Sequence, residues 1–137
     1  MSEMKRSVFF YGLFMDESIL RAKGAHPQSA RKAVVPGYRL RIDRRAMLLP
    51  QFGAQVLGMV FTLTDREIKL LYADPGLEAY RPESVIASFE DGTYAAVTTF
   101  NLSETSASGK ANPDYAEKLR ATLERLGFPS DYIRSIG

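Results

Sequence analysis

The chain contains a strong hairpin signal, the dipeptide Asp91-Gly92 between two runs of β-forming residues. Aspartate followed by glycine tolerates the positive φ angles of a tight hairpin turn. The flanking runs, SVIASFE and TYAAVTTFNL, are rich in the β-branched and aromatic residues that favour strands. We therefore predict an antiparallel hairpin here, and its edges must be covered by other strands.

Two earlier segments also have the composition of strands. SVFFY predicts a strand from about Ser7 to Tyr11, which Gly12 ends. AVVPGYRLRID predicts a turn at Pro36 and Gly37 that leads into a second strand. The face of that strand predicted to be apolar carries Tyr38, Leu40 and Ile42.

A buried central strand is predicted from Val56 to Leu63, after an irregular hairpin that Pro50 and Gly53 interrupt. Thr64 and Glu67 follow it with the spacing of a capping box. In this motif the hydroxyl and the carboxylate bond to backbone N–H groups that would otherwise lack partners. A short helix is therefore predicted directly after the strand.

Two further helices are predicted, one near each end of the chain. The first begins near Met15, has acidic residues in its first turn and stops at Gly24. The second begins at Asn112 and Pro113, after the small polar loop SETSASGKAN. Its apolar stripe consists of Tyr115, Leu119, Leu123 and Leu126.

Together these elements predict an α+β fold: a small mixed, mostly antiparallel β-barrel with peripheral helices. A barrel is favoured because many short strands need their edges covered. At 137 residues the chain has the size of one domain. We predict a single domain over residues 1–137, with a C-terminal helical extension from about residue 112 to 137.

Composition excludes several kinds of chemistry. The chain has no cysteine, and His26 is its one histidine, so thiol nucleophiles and clustered thiolate or histidine metal sites are excluded. No glycine-rich loop of a nucleotide-binding type is present. We expect His26 to lie in an exposed loop without a special role, and we predict neither a metal nor a cofactor.

Charge and hydropathy argue against polyanionic or membrane partners. The formal net charge is only +2, and no apolar run approaches a membrane span. The arginine-rich strand RLRIDRR could contact a single-stranded nucleic acid, but Asp43 lies within it, which favours a solvated face. We expect no signal peptide, no membrane and no nucleic-acid partner, and a cytoplasmic location; no oligomeric state is predicted.

Carboxylates are the first remaining chemical tool, and YADPGLEAY places two of them in a turn-forming, otherwise apolar stretch. Burial of Asp74 or Glu78 there would raise the carboxyl pKa toward the range of a general base. The alternative is structural, because acids beside Pro-Gly usually form turns. In that interpretation Asp74 caps the turn and Glu78 faces water.

The second tool is the backbone at Gly12, which interrupts the run VFFYGLFMDE. A strand that turns there and starts a helix would leave backbone N–H groups in a concave corner, and such corners attract carboxylates or phosphates. The alternative is a plain strand end whose following side chains enter the core. We expect the side chains of Leu13, Phe14 and Met15 to serve the core and their amides to face a pocket.

The order and spacing of these motifs resemble the gamma-glutamylcyclotransferase-like, or AIG2-like, family. FFYGLFM resembles the YGxLx turn of that family, and GYRL resembles its next strand. The run from Val56 to Val60 resembles its V-x-G strand, and LLYADPGLEAY resembles its L-x-x-x-E segment. The resemblance extends to about Leu102.

The resemblance implies a barrel with a pocket between the turn and the acidic segment. It implies that an α-amine attacks its own γ-carbonyl in a small γ-glutamyl substrate, forming 5-oxoproline without metal or cofactor. Asp74 takes the position of the catalytic acid, with Glu78 as the alternative. The implied substrate-binding residues are Tyr11, Gly12, Leu13, Phe14, Met15 and Tyr80.

Two departures from the family pattern matter. Leu13 replaces the small polar residue that commonly follows the turn glycine, and Asp74 is one methylene shorter than the expected glutamate. Displacement of a catalytic group by about 1 Å can cost on the order of a hundredfold in rate. The alternative function is therefore a non-catalytic module that binds a small carboxylate on the same fold.

Overall fold

The computed structural model describes residues 4–75, 77–102 and 112–136. Within these ranges five strands form a closed barrel in the order β1-β3-β2-β4-β5. The strands are β1 (Lys5–Phe10), β2 (Gln28–Ile42), β3 (Ala46–Thr64), β4 (Arg81–Phe89) and β5 (Tyr94–Asn101). All neighbouring pairs are antiparallel except β1 and β5, which are parallel. The predicted mostly antiparallel barrel is confirmed.

The long β2–β3 hairpin differs from its sequence prediction. Pro36 and Gly37 do not form a turn, and Pro50 does not break its strand. Instead Pro36 pairs with Gln55 while Tyr38 pairs with Pro50, so the β3 side of this pairing contains three more residues than the β2 side. The irregularity is accommodated as a bulge, which bends a strand without ending it.

The β4–β5 hairpin agrees with its prediction. Its register runs from Arg81 opposite Asn101 to Ser88 opposite Tyr94. Gly92 in the connecting turn has a φ of 87°, in the left-handed region that favours glycine. The hairpin is therefore explained by local turn chemistry.

The second half of β1, residues 8–10, is apolar on both faces because it separates two cores. Its inward residue Phe9 and the following Tyr11 join apolar side chains from the other four strands inside the barrel. Its outward residues Val8 and Phe10 join a second core between the barrel and the helices. The continuous apolar run of the sequence thus reflects burial on both sides.

The helices cover the outward face of β1 and β3. They are α1 (Glu17–Ala22), α2 (Asp65–Leu71), α3 (Pro113–Arg125) and α4 (Ser130–Ser135). Asp16 caps α1 by accepting a hydrogen bond from the backbone N–H of Ser18. The predicted capping box of Thr64 and Glu67 is present at α2, and Asn112 caps α3.

Most of the predicted apolar stripe of α3 enters the core between the barrel and the helices, called the outer core below, where Leu119 and Leu123 are fully buried. The polar loop predicted before α3 lies outside the described residues, apart from Asn112. Among the helices in the ranges given above, none is long and apolar enough to cross a membrane. His26 is exposed, as expected, and its backbone N–H bonds to the Glu67 carboxylate.

Candidate functional site

The site is built around the Gly12 turn, residues 11–15, which follows β1. A single 3₁₀ turn spans Leu13–Met15 and leads into Asp16 and α1. Gly12 has φ −115° and ψ −151°, an extended conformation that any residue can adopt. The glycine is needed for space instead, because a Cβ there would lie 2.3 Å from the Tyr115 hydroxyl oxygen.

The Gly12 turn uses two of the amides that were expected to face a pocket. The Leu13 N–H donates to the Tyr115 hydroxyl over 3.2 Å, and the Met15 N–H donates to the Gly12 carbonyl over 3.0 Å. Met15 is itself buried in the outer core. The expectation that its amide faces the pocket is therefore wrong, because the 3₁₀ turn satisfies that donor internally.

A cavity of about 320 Å³ opens beside the Gly12 turn. Its size is at the lower end of the range for small-molecule sites. It lies between the Gly12 turn and the segment after α2, where the pocket was expected. The lining residues used below are Gly12, Leu13, Phe14, Lys23, Arg44, Arg45, Tyr72, Leu77, Tyr80, Phe100 and Tyr115.

One side of this cavity is an aromatic wall, defined as Phe14, Tyr72, Tyr80 and Phe100. The Tyr72 ring is central, with its centroid 4.6 Å from that of Phe100 and 5.7 Å from those of Phe14 and Tyr80. Tilted and edge-on contacts at these distances stabilise aromatic pairs beyond the area they bury. The wall is therefore a preformed apolar surface for a ligand.

The tyrosine hydroxyls near the cavity remain protonated at neutral pH. Burial raises the phenol pKa of Tyr11, Tyr72, Tyr80 and Tyr115. At Tyr80 the positive charge of Arg45 lowers the pKa, but this effect is smaller than the rise caused by burial. These groups can donate hydrogen bonds but do not act as bases.

Two of the predicted substrate-binding tyrosines use their hydroxyls to hold the barrel end together. Tyr11 donates to the Phe100 carbonyl over 2.8 Å, and Tyr80 donates to the Ala46 carbonyl. The buried Asn101 side chain connects the same region, since it accepts from Leu48 N over 2.8 Å and donates to Leu48 O over 3.0 Å. In the described structure Tyr11 and Tyr80 therefore contribute ring surface to the cavity.

The predicted catalytic acid lies at the edge of the site. The Asp74 side chain is 51% exposed and forms an ion pair with Lys23, which lines the cavity. Its expected burial among apolar residues is not observed, because the turn projects it toward the Lys23 ammonium. Glu78 is also exposed, and its carbonyl accepts from the Arg81 guanidinium. Neither carboxylate belongs to the described cavity lining.

Sequence reasoning missed several residues of the site. Tyr115 was assigned only to a helix stripe, and Lys23 was not considered. Arg44 and Arg45 were assigned to a solvated strand face, but both line the cavity from the turn between β2 and β3. The sequence offered one signal for these residues, since Tyr115 combines an apolar ring with a polar hydroxyl in the first turn of α3.

Comparison with known families identifies the fold and its lineage. The sequence profile described as "Gamma-glutamyl cyclotransferase, AIG2-like" matches residues 8–118. The chain belongs to this family. The match includes both the Gly12 turn and the first part of α3, which carries Tyr115.

Solved structures agree with the family fold at low sequence identity. A protein titled "Gamma-glutamyl cyclotransferase" is 14% identical, with a TM-score of 0.74, and the alignment covers 98% of this chain and 89% of that one. An uncharacterized protein from Homo sapiens is 16% identical, with a TM-score of 0.77 and the same coverages. YkqA from Bacillus subtilis is 22% identical, with a TM-score of 0.75, over 96% of this chain and 52% of its own. No curated protein matches the sequence.

Proposed function

We propose that this member of the gamma-glutamyl cyclotransferase family is an enzyme that converts a γ-glutamyl compound to 5-oxoproline. The α-amine nitrogen of the γ-glutamyl group bonds to its own γ-carbonyl carbon, and the bond from that carbon to the departing amine breaks. One proton leaves the attacking nitrogen and one joins the departing amine. The supporting observation is that the Gly12 turn and Lys23 line one cavity, and that the Lys23 ammonium pairs with the Asp74 carboxylate at its edge.

Donors at the Gly12 turn would hold the substrate's α-carboxylate. The Phe14 N–H has no partner among the described residues, and the Tyr115 hydroxyl accepts from Leu13 N–H while keeping its own hydrogen. That hydroxyl can replace the donor lost where Leu13 stands in place of a small polar residue. Fixing the carboxylate would hold the amine near its own carbonyl, which gives a large proximity advantage.

Asp74 would receive the proton of the attacking ammonium. Its present partner is the Lys23 ammonium, so the carboxylate is already placed to bind a positively charged nitrogen. A substrate ammonium would compete with Lys23 for the same oxygens. The carboxylate would accept a proton during attack and return one to the departing amine. Glu78 is the alternative acid in the same turn.

This reaction uses no group beyond the protein and the substrate, because its two reacting atoms belong to one molecule. We therefore propose a cofactor-independent enzyme with a small-molecule substrate. Its cytoplasmic location stays a prediction of the sequence.

The proposal is tested by assaying 5-oxoproline release from a panel of γ-glutamyl amines and amino acids. Asp74→Asn should abolish release, while Glu78→Gln should retain it. Asp65→Asn is the matched control, because Asp65 forms a similarly exposed ion pair with Arg6 away from the cavity. No release from any substrate, or release that both Asp74→Asn and Glu78→Gln leave unchanged, would refute the enzyme.

The second candidate function is a binding module without turnover. It is favoured by one observation, that no carboxylate belongs to the described lining of the cavity. Calorimetric titration with glutamate and with 5-oxoproline would then show saturable binding, and no γ-glutamyl compound would be consumed. The loss of that binding in Tyr115→Phe would assign it to the cavity.

A further inference from the structure

Arg44 and Arg45 form the turn between β2 and β3 and line the cavity. The backbone of the turn is fixed, because Asn112 Nδ2 donates to the Arg44 carbonyl over 2.9 Å and the Asp43 N–H donates to the Arg45 carbonyl over 3.1 Å. The two guanidinium groups, in contrast, have no hydrogen bond or ion pair with any residue of the ranges 4–75, 77–102 and 112–136. The backbone that carries these two cations is therefore held in place, while their guanidinium groups have no partner in the described part of the chain.

The other cations nearby are already neutralised. Arg41 Nε lies 3.1 Å from Asp43 Oδ1, and Lys23 pairs with Asp74. Among the described residues that line the cavity, the cations without an ion pair are therefore Arg44 and Arg45. Arginine matches a carboxylate well, since its planar fork can donate two parallel hydrogen bonds.

The γ-glutamyl group does not account for both charges. Its α-ammonium and α-carboxylate cancel each other, and the Gly12 turn and Asp74 offer complementary partners to these two groups. A second carboxylate on the substrate would offset one of the two positive charges of the arginine pair and could accept hydrogen bonds from both side chains. In the proposed reaction the remaining part of the substrate is the departing amine, so this carboxylate would belong to it.

The aromatic wall adds a second requirement. The Tyr72 ring contacts the rings of both Tyr80 and Phe100, and Leu77 lines the same cavity. Burial of a large apolar side chain against such a surface contributes to binding in proportion to its area. The cavity thus combines an anion site with an apolar surface.

We propose that Arg44 and Arg45 make this cavity selective for γ-glutamyl compounds whose departing amine is an amino acid with a free carboxylate and a large apolar side chain. This inference rests on the proposed function for the assignment of the departing group. Arg44 and Arg45 bind the carboxylate, and the aromatic wall contacts the side chain.

The test compares three compounds that differ by one feature each. γ-Glutamyl-phenylalanine carries both features, its C-terminal amide lacks only the charge, and γ-glutamyl-glycine lacks only the aromatic ring. We expect kcat/KM for the first to exceed that of each of the other two by about 10- to 100-fold. Arg44→Gln and Arg45→Gln should each lower the value for the acid about tenfold or more and change the amide less than about twofold.

Arg39→Gln is the matched control. Arg39 is an exposed arginine of β2 outside the described cavity lining, and its substitution makes the same change in charge. It should leave all three values unchanged. Equal values for the acid and its amide, or equal losses on both in Arg44→Gln and Arg45→Gln, would overturn the inference while the cyclisation stands.

Calorimetry with the Asp74→Asn protein separates this inference from the proposed reaction. Tighter binding of the acid than of its amide, lost on adding Arg44→Gln, would support the arginine site even where the wild-type protein releases no 5-oxoproline. That combination would refute only the reaction. Failure to bind the acid more tightly than its amide would overturn the inference.

Discussion

The contact between Gly12 and Tyr115 makes a quantitative prediction about stability. In the Gly12→Ala protein the added Cβ would lie 2.3 Å from the Tyr115 hydroxyl oxygen but 3.6 Å from Tyr115 Cζ and from Ala46 Cβ. The conflict is thus confined to one oxygen atom. Forcing a ring or a strand end to move costs about 1–3 kcal/mol, so Gly12→Ala should lower the free energy of unfolding by that amount.

Tyr115→Phe removes this oxygen, and in that background the expected effect of Gly12→Ala on stability changes sign. Only ordinary van der Waals contacts would then surround the new Cβ, and the backbone at residue 12 already suits alanine. Replacing glycine by alanine at a compatible position stabilises by about 0.4–1 kcal/mol through the unfolded chain. Adding Gly12→Ala to Tyr115→Phe should therefore be neutral or stabilising.

Urea unfolding of the four proteins, followed by far-UV circular dichroism, measures the coupling between the two sites. The values above give a coupling of about 1.5–4 kcal/mol. Tyr115→Phe alone should cost about 1 kcal/mol, because the half-buried Leu13 N–H loses its acceptor. Additive effects, with a coupling below about 0.5 kcal/mol, would refute the close approach of Tyr115 to the Gly12 turn.

Three further predictions concern stability and the site. Thr64→Ala should lower the free energy of unfolding by about 1 kcal/mol, because the α2 capping box loses its hydroxyl; urea unfolding checks this. Hydrogen bonds from Ser18 hold the pKa of Asp16 below its ordinary value, so its stabilising contribution is complete above that value and is lost as the pH falls through the folded pKa. Asp16→Asn should flatten the fall of stability below about pH 4. Lys23→Met should lower KM for γ-glutamyl substrates in the 5-oxoproline assay and should change kcat much less than Asp74→Asn does, because Lys23 no longer competes with the substrate ammonium for Asp74.

Each of these predictions has a contradicting outcome. An unchanged urea midpoint in Thr64→Ala would show that the Thr64 hydroxyl does not stabilise α2. If Asp16→Asn does not alter the acid unfolding curve, the ionised Asp16 carboxylate does not stabilise the folded state. Loss of all turnover in Lys23→Met would show that Lys23 takes part in the reaction and is not only an ion-pair partner that the substrate displaces from Asp74.

The elements predicted correctly depend on residues close together in the chain. The Asp91-Gly92 turn and the capping box of Thr64 and Glu67 involve spacings of one and three residues. Pro36 and Gly37 were misread as a turn because the same residues are compatible with a bulge, and only pairing with β3 decides between the two.

The parts of the site that the sequence missed depend on contacts between distant residues. Tyr115 and Leu13 are 102 positions apart, and Lys23 and Asp74 are 51 apart. No local pattern indicates that the Gly12 turn meets α3, or that the acidic turn projects Asp74 toward α1. The family resemblance located the cavity because it carries information about such contacts.

The parallel junction of β1 and β5 is short, with only two residue pairs, Val8 with Thr98 and Phe9 with Thr99. A hydrogen bond of 2.8 Å from the Thr99 hydroxyl to the Phe9 carbonyl reinforces it. Contacts between such distant segments are costly to form, because a long loop must close first. Tyr11 and Phe100, which both line the cavity, come from the two sides of this junction. A chain on the ribosome whose β5 has not yet left the exit tunnel therefore has no ligand cavity. Ligand binding by a nascent chain would therefore report that the barrel has closed.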